Sequence, residues 1–143
     1  MTTFRPSPTS WVRNQVVAIE AAGTTEAADI QGMRVVLLTM TGRKSGDTLK
    51  VPLMRVEHEG AYAAVASKGG APDNPQWYYN VVANPDIMLQ DGTQDRPVRA
   101  RILDGDERAQ WWERCVAAFP PYAEYQANTD RTIPVFVLEP RAA

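Results

Sequence analysis

The chain has 143 residues, 44% apolar and 22% charged, which fits one soluble globular domain with enough sequence to bury a core. Its formal net charge of −2 argues against nucleic acid as a partner held by a global positive field, and no apolar run approaches the ~20 residues of a membrane span. A single cysteine, Cys115, excludes an intrachain disulfide, and a single histidine, His58, excludes a histidine-rich metal centre, so no metal is expected.

Met1-Thr2-Thr3-Phe4-Arg5-Pro6 lacks the charged-then-apolar layout of a secretory signal, and a cytoplasmic protein is expected. From Thr9 or Ser10 as N-cap, Trp11, Val12, Val16 and Ile19 recur at helical spacing until Gly23 supplies a stop. This helix carries only Arg13 as a cation, set against Glu20. Stable membrane binding is therefore not expected, and the helix is read as packing on the domain or capping a pocket.

Residues 33–40 form a nearly continuous apolar, partly β-branched run, as a buried strand would. The turn Thr41-Gly42-Arg43-Lys44-Ser45-Gly46 follows. Residues 48–56 read as its hairpin partner, with Pro52 marking an edge or a bulge. Glu57-His58-Glu59-Gly60 has the composition of a turn, so His58 is read as solvated, and 61–67 as a third strand. Ser67-Lys68-Gly69-Gly70-Ala71-Pro72 is loop. Asn74 as N-cap and Pro75 at the first helical position open a short helix through Trp77, Tyr78 and Tyr79 that ends at Asn84-Pro85.

Residues 87–90 and 98–103 pair across a turn at Asp91-Gly92. Arg96, Arg99 and Arg101 read as a solvated sheet face. Asp104-Gly105-Asp106-Glu107 resembles a capping box for a helix running through Phe119, in which Cys115 sits beside Trp111 and Trp112 as a small buried hydrophobe. Pro120-Pro121 breaks it, Tyr122-Ala123-Glu124-Tyr125-Gln126 is a short helical turn, and 133–138 a last strand. Roughly six strands and three or four helices, all joined by short connections, predict an antiparallel barrel with peripheral helices and no βαβ alternation. One domain is expected over 1–143, with 1–30 as N-terminal extension and helix and 31–143 as barrel core.

Two loops carry the chemistry. Arg43 and Lys44 in the first and Lys68 in the second stand among glycines, which let backbone N–H groups converge while Arg and Lys supply positive donors. Such a pair would hold an anionic ligand bearing phosphate and carboxylates. Read from residues alone, the loops are equally ordinary polar turns, and Trp77, Tyr78, Tyr79, Tyr122 and Tyr125 are equally core or lid packing.

Leu38-Thr39-Met40-Thr41-Gly42-Arg43-Lys44-Ser45-Gly46 with Pro52-Leu53 resembles the deazaflavin-dependent nitroreductase and quinone reductase family. So do Ala66-Ser67-Lys68-Gly69-Gly70-Ala71-Pro72, Asn74-Pro75, Trp77-Tyr78, Asn80 and Ala83-Asn84-Pro85, then Tyr122-Ala123-Glu124-Tyr125-Gln126 and Thr129-Asp130-Arg131-Thr132-Ile133-Pro134-Val135. The resemblance spans about residues 30–140 in order. It implies a mainly β, α+β fold: a split antiparallel β-barrel of the FMN-binding type with peripheral helices. It also implies coenzyme F420, an 8-hydroxy-5-deazaflavin with a phosphodiester and a glutamate tail, in place of FMN. The implied reaction is hydride transfer to a small-molecule acceptor: a quinone, a nitro compound, or an unsaturated lactone such as a coumarin or aflatoxin.

By matching positions, Thr41, Gly42, Arg43, Lys44, Ser45, Gly46 and Pro52 would lie at the tail and phosphate, and Lys68, Gly69 and Ala71 at the phosphate and ring. Ser67 and Trp77 would lie near the ring, and Tyr122 and Tyr125 on the acceptor side, with Ser67, Tyr122 and Tyr125 as the catalytic candidates. Some relatives carry aromatic residues where this chain has Asn128 and, near Leu53, Met54, so the acceptor pocket is expected to differ from theirs. The alternatives are a deazaflavin or FMN carrier or sensor without its own acceptor reaction. A monomer is slightly preferred.

Overall fold

The computed structural model describes residues 4–142. Met1, Thr2, Thr3 and Ala143, which include the start of the expected leaderless N-terminus and both ends of the expected domain, lie outside the described residues. Helix α1, Ser10–Ala22, stops at Gly23, whose φ of 75° is left-handed and is adopted by glycine at least cost. Strands β1 (Asp29–Ile30), β2 (Met33–Thr41), β3 (Thr48–Met54), β4 (Glu57–His58) and β5 (Ala61–Val65) follow. Helix α2 (Gln76–Ala83) separates them from β6 (Asp86–Asp91) and β7 (Gln94–Ile102). Then come α3 (Gly105–Ala118), α4 (Pro121–Ala127) and β8 (Val135–Pro140).

The strands form one curled antiparallel sheet in the order β1-β2-β6-β7-β8-β5-β4, with β3 paired to β2 outside that path. Pro52 sits opposite Leu37 in β3, whose only strand partner among the described residues is β2 and whose bridge to the N-terminal segment is at Thr48, away from Pro52, so its missing N–H leaves no gap in an inner ladder. Strand alternation divides the core into two layers. Val35 and Leu37 of β2 join Val16 and Ile19 of α1, Trp111 and Cys115 of α3, and Tyr122 of α4. Val36, Leu38 and Met40 join Trp77 and Val81 of α2 with Phe136 and Leu138 of β8. At about 1.5–3 kcal/mol for each fully buried large side chain, these layers outweigh the exposed ion pairs, each worth about 0–1 kcal/mol, in holding the fold.

Several expectations are corrected. The two shortest strands, β1 and β4, were below the length that a sequence pattern can announce. His58 is in β4, not in the turn, and its half-exposed ring meets Trp111 edge-on at 6.1 Å; the turn itself is Glu59-Gly60, where both φ values are positive. Helix α2 has Pro75 as its N-cap, not at its first helical position, because the Asn74 carboxamide is drawn to Arg131 at 2.8 Å. The capping box of α3 does not form: Asp104 makes no side-chain cap bond, and Glu107 instead takes two bonds from Arg101 at 2.8 and 2.9 Å. Arg99 pairs with Asp86, and Arg101 also with Glu139, as a solvated charged face.

A polar cluster lies apart from this face. Asp91, 9% exposed, accepts from Arg55 Nε at 3.0 Å to each oxygen and from the Tyr62 hydroxyl at 2.5 Å. Burial alone would raise the carboxyl, but the bonds from Arg55 and Tyr62 prevail and hold it below the usual carboxylate range. Asp91→Asn should therefore cost about 1–3 kcal/mol in a denaturant melt near neutral pH, because Arg55 loses its charged acceptor. With the folded pKa depressed, the contribution is complete above the ordinary aspartate value of ~3.9 and is lost as pH falls through the lower folded value. Parent and variant curves that stay apart at the acid end would count against this assignment.

Candidate functional site

A cavity of about 850 Å³ opens between the N-terminal segment, α1, the β2–β3 turn, β3, the loop after β5, α2 and α4. Its wall brings together eleven of the residues expected from sequence: Gly42, Arg43, Lys44, Ser45, Pro52, Ser67, Lys68, Gly69, Trp77, Tyr122 and Tyr125. Three others are not in the wall. Thr41 is an exposed end of β2, and Gly46 closes the turn by donating to the Gly42 carbonyl at 3.0 Å. Ala71 turns its carbonyl to Arg131 at 2.9 Å. Gly46 and Ala71 make backbone hydrogen bonds within the two loops.

The β2–β3 turn is anchored through Arg43. Its backbone N–H and its Nη1 both donate to Asn80 Oδ1, at 3.1 and 3.0 Å, and its Nη2 donates to Gln76 Oε1 at 3.0 Å. The guanidinium also lies 5.2 Å from the centre of the Tyr79 ring. Lys44 is exposed and has no hydrogen bond or ion pair among the described residues. Lys68, by contrast, is paired across its own loop with Asp73 at 3.0 Å. That bond is the main reason the exposed Asp73 carboxyl sits below its usual range. Lys68 and Gly69 both take positive φ, and a Cβ on Gly69 would meet nothing within 4 Å, so backbone and open space lie together at the cavity edge.

The inner wall is aromatic. Tyr122 is 4% exposed and packs against Phe119, with ring centres 5.0 Å apart, and against Tyr125 at 6.2 Å. Burial pushes its hydroxyl far above the ordinary tyrosine range, so it remains a neutral donor at working pH. Burial likewise lifts the Cys115 thiol to about 12, which makes it a packing residue and no nucleophile.

Sequence reasoning missed Arg5, Lys50, Gln76, Asn80 and Phe119, which share the wall. Arg5 bonds to Ser45 and pairs with Asp47, and Lys50 pairs with Glu20 of α1. Nothing in a sequence joins residues so far apart. Asn80 did carry a signal: asparagine is a poor interior helix residue, and this one is 5% exposed. Its Oδ1 is committed to Arg43, which fixes the amide orientation and leaves Nδ2 without an acceptor among the described residues.

Residues 11–140 match the F420H(2)-dependent quinone reductase family. The chain belongs to that family. It is an F420-dependent reductase, with coenzyme F420 as cofactor and a small molecule as acceptor. A Mycobacterium tuberculosis relative named for F420H(2)-dependent quinone reduction is 43% identical over 105 residues, covering 73% of this chain and 88% of its own. A solved F420-H2-dependent reductase, FDR-A, is 58% identical with a TM-score of 0.71, covering 73% of this chain and 93% of its own. A structure described as a domain-swapped dimer is 54% identical with a TM-score of 0.74, covering 93% of this chain and all of its own. The expected preference for a monomer finds no support there. Among the described residues no helix is long and apolar enough to cross a membrane, and no cluster of candidate metal ligands occurs.

The residues present fit the cofactor. Lys44, the Asn80 amide and the open edge at Gly69 offer positive charge and unused donors, and the aromatic wall offers a dry surface for a ring system. Asp73, paired with Lys68 at 3.0 Å, offsets positive charge at the cavity edge. Asp73→Asn should tighten F420 binding roughly two- to fivefold at low salt, as the loss of an exposed ion pair allows. Weaker binding in a titration would show that Asp73 orders the loop instead.

Proposed function

We propose that this reductase delivers hydride from reduced F420 to a conjugated or electron-poor acceptor: a quinone, a nitro compound, or an unsaturated lactone of the coumarin or aflatoxin kind. The observation that carries the reading is the continuity of one cavity, with two cationic loops at its mouth and Tyr122 and Tyr125 at its inner wall. When bound, reduced F420 supplies the hydride, and the chain's residues do the rest. Arg43, Lys44 and Ser45 would hold the anionic tail, and Pro52, four residues after Thr48 in β3, lines the same wall. Lys68 and Gly69 hold the phosphate side, and Ser67 and Trp77 flank the ring. Phe119 and Met40, each 3% exposed, add apolar surface to the wall from the two core layers. A Tyr122 or Tyr125 hydroxyl donates a hydrogen bond, or a proton, to the acceptor oxygen as negative charge builds there.

The test has two stages: a titration with F420, then anaerobic mixing of reduced enzyme-bound cofactor with one acceptor from each class. Oxidation of the cofactor by at least one class is expected. Tight binding with no oxidation by any class would mark the chain as a carrier.

A further inference from the structure

Arg131 belongs to the segment between α4 and β8, and its side chain leaves that segment to grip the second cationic loop. Nε donates to the Ala71 carbonyl at 2.9 Å, and Nη2 to the Ser67 carbonyl at 2.8 Å. Nη1 donates to the Ala66 carbonyl at 3.2 Å and to Asn74 Oδ1 at 2.8 Å. None of the four acceptors is a carboxylate: three are backbone carbonyls and one is the Asn74 side chain. The charge also acts on the nearby Asp73 carboxylate without a direct bond. The Arg131 backbone is held in turn by Gln126 of α4. That side chain donates to the Arg131 carbonyl at 2.8 Å and accepts from the Ile133 N–H at 2.9 Å. Loop and helix also touch directly: a Cβ on Gly70, at φ +84°, would lie 2.8 Å from the Tyr125 carbonyl oxygen.

We infer that Arg131, seated by Gln126, is a positioning residue that fixes the Lys68–Gly70 loop against α4, and so sets the distance between the cofactor loop and the two tyrosines. The inference rests on the proposed role of Lys68 and Gly69 at the cofactor. A planar fork with several donors can span acceptors from Ala66 to Asn74, whereas a single ammonium cannot. Misplacement of about an ångström at a reacting centre is enough to cost ~10²-fold in rate.

The test compares Arg131→Ala, Arg131→Lys, Gly70→Ala and Lys68→Ala with the parent, at a temperature where melting curves show all of them folded. The measurements are the dissociation constant for F420, KM and kcat for a reactive acceptor, and amide hydrogen exchange at residues 70 and 71. Those two amides now donate to Ser67 and Lys68 at 2.9 and 3.2 Å. Arg131→Ala is expected to weaken F420 binding about tenfold or more, lower kcat, and speed exchange at both amides. Arg131→Lys should recover part of each, and Gly70→Ala should reproduce the loss of rate. If Lys68→Ala weakens binding while folded Arg131→Ala keeps the parent affinity and kcat, Arg131 serves stability alone and the inference fails. If Lys68→Ala also binds like the parent, the loop is not at the cofactor, and the site reading falls together with the inference.

Discussion

Replacing Tyr122 by phenylalanine is expected to lower kcat/KM by ~10²-fold or more while the affinity for F420 hardly moves. The ring is fixed by Phe119 and Tyr125 and stays in place in the variant, so only the hydroxyl is lost. Burial keeps that hydroxyl protonated, which suits a donor to developing charge and excludes a base. Activity that depends on it should therefore show no alkaline limb from Tyr122 within the ordinary range. The same change at the half-buried Tyr125 separates the two tyrosines, because whichever hydroxyl meets the acceptor carries the larger loss. Parent rates in both phenylalanine variants would make them lining and not chemistry. Loss of F420 affinity would move them to the cofactor side.

The second large effect is expected at the β2–β3 turn. Hydrogen bonds to charged groups are worth about 1.5–3 kcal/mol, so Lys44→Ala should weaken F420 binding roughly ten- to a hundredfold. Arg43→Ala should do at least as much, since the turn also loses the guanidinium bonds to Asn80 and Gln76 and keeps only the backbone bond to Asn80. Added salt should weaken parent binding and flatten the difference at the exposed Lys44. Comparing titrations at low and high salt reads both effects. Unchanged affinity in the alanine variants of Arg43, Lys44 and Lys68 alike would remove the anion from this end of the cavity.

The sheet was legible because β2, β6 and β8 are apolar enough to mark themselves, and glycine or proline punctuates their ends. The first helix was legible from its spacing and from Gly23. What stayed hidden depends on partners distant in sequence. Asn74 looks like an N-cap until Arg131 takes its side chain, and Glu107 looks like half of a capping box until Arg101 takes it. Both misreadings share one cause: a local polar bond lost to a charged donor from elsewhere. In the candidate site, Lys44 and Lys68 could be read because glycines surround them. Arg5 and Lys50 sit in unremarkable strings and reach the cavity only through the fold. The residue resemblance ran through Arg131 but said nothing of which atoms it holds.

The N-terminal segment has a kinetic meaning beyond its place in the wall. Among the described residues it meets the β2–β3 hairpin through the Arg5 N–H, which donates to the Thr48 carbonyl at 2.9 Å, and through the bridge of Phe4 to Thr48. The Lys50 ammonium lies 5.8 Å from the centre of the Phe4 ring, and Arg5 contacts Asp47 and Ser45. The Arg5 side chain is 52% exposed, and exposed contacts of this kind are weak and screened by salt. Residues 4–9 are therefore expected to detach at a small fraction of the free energy that unfolds the sheet. Opening of such a segment is expected to speed ligand entry and exit together, so residence time would change more than equilibrium affinity. Salt that loosens the segment shortens the stay of a bound ligand even where the donors deeper in the cavity are unchanged.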